Sequence, residues 1–247
     1  MAFDWSYFFK AFPQLFSYIP STLFMAFLAM ALAVILGIIV ALLQASSITF
    51  VRNIAKIYVS IFRGIPTLVQ LFIVYYGLPQ IFPVFKGVPA LMTAICGLGI
   101  KQSAYLAEIF RAAINSVDQG QIEAGLALNI KYPKLLIHVV MPQAVINAIP
   151  ATSNTFISLL KETSLAFTLG ITELFAQGKM LAGASFKYFE TYVAVGLVYW
   201  LLIVVITWGQ HLIEKSLNKP YRRFVHVPNS STRFIRNPGK QANLETH

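Results

Sequence analysis

Residues Gly120–Gln143 read GQIEAGLALNIKYPKLLIHVVMPQ, a polar, charged interruption between long apolar segments. Backbone and side chains this polar cannot be satisfied inside hydrocarbon, so the stretch lies on one side of a bilayer. Asp118 is a good N-cap for a helix over Gln119–Leu128, whose side chain can accept from the first free backbone N–H groups. Ala124 and Gly125 give that helix a small-residue face. Ile122 and Leu126 offer apolar anchors one turn apart, and Glu123 offers a charge to a basic partner. Asn129 tolerates the left-handed conformation that ends a helix. Pro133 favours the start of a second short helix, and Pro142 marks the return to the membrane. From residue types alone, two readings stand: a knuckle that grips a partner and transmits force, or a solvated loop joining two spans.

The composition outside this stretch supports the membrane setting. The 247-residue chain is 57% hydrophobic and only 11% charged, and its mean hydropathy is +0.68. Soluble domains carry roughly a quarter charged residues. The net charge of +10 suits either nucleic acid or a membrane surface. It gathers in short loops and the C-terminal tail, which favours the membrane and excludes a nucleic-acid partner. Cys96 is the sole cysteine and lies in an apolar run, so no internal disulfide forms and its role is packing. No internal repeat is visible.

The expected fold is an all-α integral membrane protein with about five transmembrane helices plus short cytoplasmic helices. Residues 1–20 are aromatic-rich and form an extracytoplasmic lead-in, either an interfacial helix or a plain helix start. The spans are expected near Ser21–Gln44, Ile54–Leu78, Val88–Ile114, Ala144–Ile171 and Thr191–Ile213, making residues 21–213 one transmembrane unit. Pro79, Pro83 and Pro89 mark a short re-entry loop, and a loop with Lys179 and Lys187 precedes the last span. Residues 214–247 form a basic tail that is poorly ordered from about Pro228. An odd number of spans puts the termini on opposite sides. The positive-inside bias places the tail, the Arg52/Lys56 loop and the polar loop at 117–143 in the cytoplasm and the N-terminus outside.

Charges inside spans cost about 2.5 to 3.5 kcal/mol each on insertion scales, so each needs a partner or a function. Arg63 and Glu108 fall at similar depths on adjacent spans and are expected to pair as a structural ion pair or gate. Arg111 is the alternative partner of Glu108 at i,i+3. Asn154, Ser158 and Glu162 share one stripe of the fourth span, and Lys101 and Tyr105 share one stripe of the third. Facing each other, these stripes form a solute path in which Lys101 or Lys161 takes a carboxylate and Glu162 an ammonium. The alternative is that Lys161 and Glu162 neutralise partners in the bundle. Gly64-Ile65-Pro66 is read either as a proline kink or as an unwound break.

Several segments resemble a known family. Glu123-Ala124-Gly125, Asn129 and Met141-Pro142-Gln143-Ala144 resemble the EAA loop of ABC importer permeases. That pattern is Glu-Ala-Ala, a glycine four residues on, and a Leu-Pro-type ending. Gly125 stands where alanine is usual and Asn129 where glycine is usual; each substitute keeps the property needed, small size or tolerance of positive φ. FRGIPTLVQLFIVYYGLP (62–79), SAYLAEIFRAAI (103–114), GQIEAG (120–125) and SNTFISLLKETSL (153–165) are similar to the polar amino-acid branch. The 153–165 segment and Tyr199-Trp200 look most like cystine permeases. The resemblance covers about Ser21–His211. It implies a bacterial inner-membrane permease, a second permease copy or sister permease, ABC ATPase subunits docking on the EAA loops, and an extracytoplasmic solute-binding protein. Glu123, Ala124, Gly125, Asn129 and Pro142 are then the coupling residues. The chain needs no cofactor of its own, since ATP and Mg²⁺ belong to the ATPase.

Two other classes were weighed. An ion-coupled secondary amino-acid transporter is the alternative, but it offers no reason for the EAA stretch and would normally show repeats in a longer chain. An intramembrane enzyme would need Lys161 to activate Ser164 or Thr163. The sequence has no oxyanion donors for it, and His138 and His211 lack ligand spacing for a metal.

Overall fold

The computed structural model describes residues 3–217, and every regular element among them is helical. Helix α1 (Trp5–Phe16) is capped by Asp4, whose side chain accepts from the Tyr7 N–H. Helix α2 (Ile19–Gln44) has Pro20 in its first turn, where a missing N–H costs nothing. Next come α3 (Thr49–Gly64) and α4 (Thr67–Phe72). A π turn over Ile73–Gly77 leads into α5 (Leu78–Ile81). Then follow α6 (Ala90–Asn115), α7 (Gln119–Ala127) and α8 (Tyr132–Leu135). After a second π turn come α9 (Met141–Glu162), α10 (Leu174–Ser185) and α11 (Tyr188–Leu217).

Three continuous helical stretches are long and apolar enough to cross a membrane: Ile19–Gln44, Tyr132–Leu169 and Tyr188–Leu217. The pair Thr49–Gly64 and Thr67–Ile81 makes a fourth, bent by 110°. Helix α6 has 26 residues, about 39 Å at 1.5 Å per residue, but carries Lys101, Glu108 and Arg111. With it, the expectation of about five spans agrees with the structure.

Helices α2 and α6 form the spine. The buried side of α2 is built from small residues, Ala26, Ala29, Ala33, Gly37 and Ala41. Lipid is as apolar as leucine, so close backbone approach rather than hydrophobic burial holds such a pair together. A methyl group on Gly37 would lie 2.8 Å from Leu106 Cβ and 3.3 Å from the Ser103 carbonyl oxygen, neither of which can swing away. Gly37→Val should therefore destabilise the protein by about 1–3 kcal/mol through overpacking. Thermal unfolding in detergent would check it, with Gly183→Ala, which meets open space, as the neutral control.

The end of the bundle that holds the N-terminal helix is tied by polar contacts. The Asp4 backbone N–H donates to Glu190 Oε1 at 3.1 Å, and Lys187 pairs with the Asp4 carboxylate. That ammonium holds the Asp4 carboxyl below its usual range. Tyr7 adds contacts to Thr191 and Ser185. Beneath them Phe8, Ala11 and Leu15 of α1 pack on Leu174, Ala194, Val195 and Val198.

At three places the structure decides or corrects the sequence reading. First, of the kink and the break offered at Gly64-Ile65-Pro66, the structure has the break: the second span turns by 110°, because Pro66 cannot donate and forces Ile65 out of the helical region. The carbonyls freed at this break are partly taken up: Gln70 Nε2 donates to Phe62 O at 2.9 Å and to Ile65 O at 2.7 Å. Gln70→Leu should cost about 1–3 kcal/mol by leaving these acceptors unmatched. The check is a lower Tm together with a broader α3–α5 distance distribution between spin labels. Second, Lys179 is not in a loop: it lies on α10, started by Glu173, which accepts from Phe175 N and Ala176 N at 2.9 and 2.8 Å. Third, Pro142 stands where the long apolar helix α9 begins, within an unbroken helical run from Tyr132. The π turn at Leu136–Val140 widens the helix just before it, and Pro142 sits in the first turn of α9. The tail from residue 218 lies outside the described residues.

Candidate coupling elbow and charged transport path

Helices α7 and α8 form an elbow between the ends of α6 and α9. Asp118 Oδ1 accepts from Gly120 N at 2.7 Å, capping α7 as expected. Asn129 takes φ 60°, and Ile130 N reaches back to Gly125 O at 3.1 Å, which closes the helix with a left-handed residue. Pro133 starts α8. Gly125 is buried because Leu135 folds over it. A Cβ there would lie 2.2 Å from Leu135 Cδ2, so glycine in place of alanine makes room for the leucine of the second arm.

The ends of α6 and α9 pack together at the base of the elbow, and α7 joins them through Ile122 and Gln121. Ala113 and Val117 pack on Val140, Ala144 and Ala148, with Ile122 partly buried against them. Asn147 Nδ2 donates to Ser116 Oγ at 2.9 Å, and Gln143 Nε2 to Gln121 Oε1 at 2.6 Å. Ile122 thus faces the bundle, and only Leu126 of the two expected anchors is outward. Glu123, Ala124, Leu126 and Leu128 are exposed, and among the described residues Glu123 has no cationic partner.

The buried charges resolve differently from expectation in one case. Arg63 does not pair with Glu108. Glu108 takes the alternative partner, Arg111, at 2.7 Å and also accepts from Gln44 Nε2 at 3.0 Å. A partner one turn along the same helix needs less side-chain ordering than one on a neighbouring helix. The Arg63 guanidinium instead lies 5.3 Å from the Tyr105 ring centroid, and Lys101 Nζ is 5.4 Å from the same ring. Lys101 meets Glu162 at 2.5 Å across α6 and α9. The second carboxylate oxygen of Glu162 accepts from Gln102 Nε2 at 3.0 Å.

Of the two polar stripes only Lys101 and Glu162 meet, and they satisfy one another. Lys161, Asn154 and Ser158 are exposed on α9. Ser164 Oγ donates to the Lys161 carbonyl at 2.7 Å, so its hydroxyl is committed to the backbone. Sequence reasoning missed Gln44, Gln70, Gln102 and Glu173. The three glutamines have partners on another helix or beyond a break, where intra-helical spacing carries no signal; Glu173 is a local N-cap, and glutamate is not among the residues usually favoured there.

A helical membrane scaffold with an outward-facing elbow and a Lys–Glu pair between two of its long helices is compatible with a permease subunit. Residues 33–219 match the family model described as the binding-protein-dependent transport system inner membrane component, and the chain belongs to this family. It is 55% identical to the probable amino-acid permease protein YxeN of Bacillus subtilis, over 89% of this chain and 98% of that one. It is 35% identical to the L-cystine transport system permease protein TcyL of Bacillus subtilis, over 92% and 96%. A crystal structure of an amino acid ABC transporter with histidines superposes with TM-score 0.81 at 34% identity, over 87% of this chain and 100% of that one. The protein is thus a membrane permease component of an ABC importer, working with ATPase and binding-protein partners. It is not an enzyme, since ATP hydrolysis in this family belongs to a separate subunit. Family membership removes the ion-coupled secondary transporter from consideration.

Proposed function

We propose that this chain carries a polar amino acid, with cystine the first candidate, into the cytoplasm by alternating access. The solute comes from an extracytoplasmic binding protein, and ATP with Mg²⁺ acts in the partner ATPase. The observation that carries the reading is the exposed Glu123, which has no ion-pair partner among the described residues, beside Leu126 and Leu128 on an elbow joined to the bundle through Ile122 and the Gln121–Gln143 contact. An apolar patch with a single charge suits docking. Glu123, Ala124, Gly125, Asn129 and Pro142 belong to that coupling element. One copy supplies one elbow, so a second permease copy or sister permease completes the pathway.

In this reading residues 1–20 lie outside, residues 21–213 form the transmembrane unit, the loop at 117–143 is cytoplasmic, and the basic segment 214–247 is a cytoplasmic tail. Lys161, Asn154, Ser158 and Tyr105 line the solute path, and the Lys101–Glu162 pair sits beside it. The amino-acid class is supported by the names of the relatives at 55% and 35% identity, the second of which is an L-cystine permease.

The test is ATPase activity of the assembled complex in liposomes, with candidate binding proteins and a panel of amino acids including cystine. Stimulation by one loaded binding protein names the solute. Failure to retain any ATPase on purification would overturn the coupling role of the elbow.

A further inference from the structure

Helix α3 has three faces, not two. Ala55, Tyr58, Val59 and Phe62 turn inward: Ala55 and Val59 are buried against Val40, Ala41, Ala104 and Ala107, and Tyr58 and Phe62 pack on that cluster. Phe50, Ile54, Ile57 and Ile61 are exposed on a second stripe at helical spacing, which suits lipid. The third stripe is Arg52, Asn53, Lys56, Ser60 and Arg63. All but the half-buried Arg52 are exposed.

No carboxylate among the described residues pairs with Arg52, Lys56 or Arg63. Arg52 bonds only to Ser46 O and Thr49 Oγ1, at 3.4 and 3.3 Å. Glu108, the carboxylate expected to pair with Arg63, is held by Arg111 and Gln44. Unpaired cations along one face of a helix in a membrane domain must meet water or an anion, because hydrocarbon cannot hold them. The stripe ends at Arg63 over Tyr105, beside the Lys101–Glu162 pair.

We infer that this third face of α3 lines a water-filled, electropositive passage between the cytoplasm and the central charge cluster, suited to amino acids whose carboxylate is not offset by a cationic side chain. The inference rests on the reading above for its solute class and for which side is cytoplasmic. A low-dielectric cleft lined with one sign of charge concentrates ions of the other sign. Lys56 and Arg63 repel a solute of net positive charge, such as one with a lysine- or arginine-like side chain, attract an acidic one, and admit a zwitterion of net zero charge without repulsion. The one nearby carboxylate of α9, Glu162, is already neutralised by Lys101.

The experiment places a thiol on the stripe without removing a charge. In a Cys96→Ala background, Ser60→Cys is nearly isosteric, and Ile57→Cys on the lipid-facing stripe is the control. The assembled complex in proteoliposomes is treated with membrane-impermeant anionic and cationic thiosulfonates of similar size from the cytoplasmic side. The expected result is that Ser60→Cys reacts about tenfold or more faster with the anionic reagent, while Ile57→Cys reacts with neither. An unreactive Ser60→Cys would mean that a second copy or lipid covers the stripe, and would overturn the passage. A preference that vanishes when anionic lipid is added to zwitterionic vesicles would place the stripe under headgroups, with the same consequence.

Competition by neutral, acidic and basic amino acids then tests the charge preference. Lys56→Gln should narrow the discrimination against basic competitors; a transported solute that is itself basic would overturn it. If no amino acid is transported at all, the amino-acid reading fails along with this preference. The labelling result still decides the passage by itself.

Discussion

Glu123→Arg should abolish uptake while the protein reaches the membrane in normal amount. Glu123 is exposed and makes no intramolecular ion pair among the described residues, so replacing it costs the fold little. Its reversal would act on a docked partner, where placing like charges together costs several kcal/mol. The same variant should lose co-purifying ATPase. Leu128→Asp, on the same exposed surface, should behave alike, whereas Lys134→Ala on α8 serves as a surface control. Normal uptake by Glu123→Arg would contradict docking at this elbow.

The second large effect lies at the centre of the bundle. Lys101 has a side chain only 8% exposed and Glu162 one 24% exposed, and they meet at 2.5 Å. Removing one member of such a pair strands the other in low dielectric, at a cost of about 3–5 kcal/mol. Lys101→Met should therefore sharply lower folded yield. Glu162→Gln keeps the shape and the Gln102 neighbour but leaves the ammonium uncompensated; it should cripple transport or alter solute preference. Combining Lys101→Met with Glu162→Gln separates structure from function. Recovery of both yield and transport would show that the pair only holds α6 to α9. Recovery of yield without transport would place these groups in the solute path. Yield is read by fluorescence-detected size exclusion, and transport by uptake into proteoliposomes.

The elbow was legible because its signals are local. Asp118 caps, Asn129 reverses and Pro133 restarts the helix, and each acts on backbone within a few residues. The spans were legible because the bilayer demands long apolar runs. Helix α10 escaped notice because it is short and mixed, and its start depends on the buried Glu173 held also by Tyr199 at 3.0 Å. The Pro66 signal was seen, but not the size of the bend, since that depends on Gln70 receiving the freed carbonyls. Arg63 was assigned the wrong partner because similar depth on adjacent helices says nothing of rotation about their axes.

The sequence by itself determined that this is a helical membrane protein, where its main spans run, and that a polar elbow stands between two of them. Those properties follow from hydropathy, turn chemistry and capping, which act over a few residues. Only the tertiary structure decided which buried charges meet, that Gly125 makes room for Leu135, and that α3 presents a third, cationic face without a partner. Those outcomes depend on the rotation and crossing of whole helices, and a one-dimensional pattern fixes the face of a helix but not what stands opposite it.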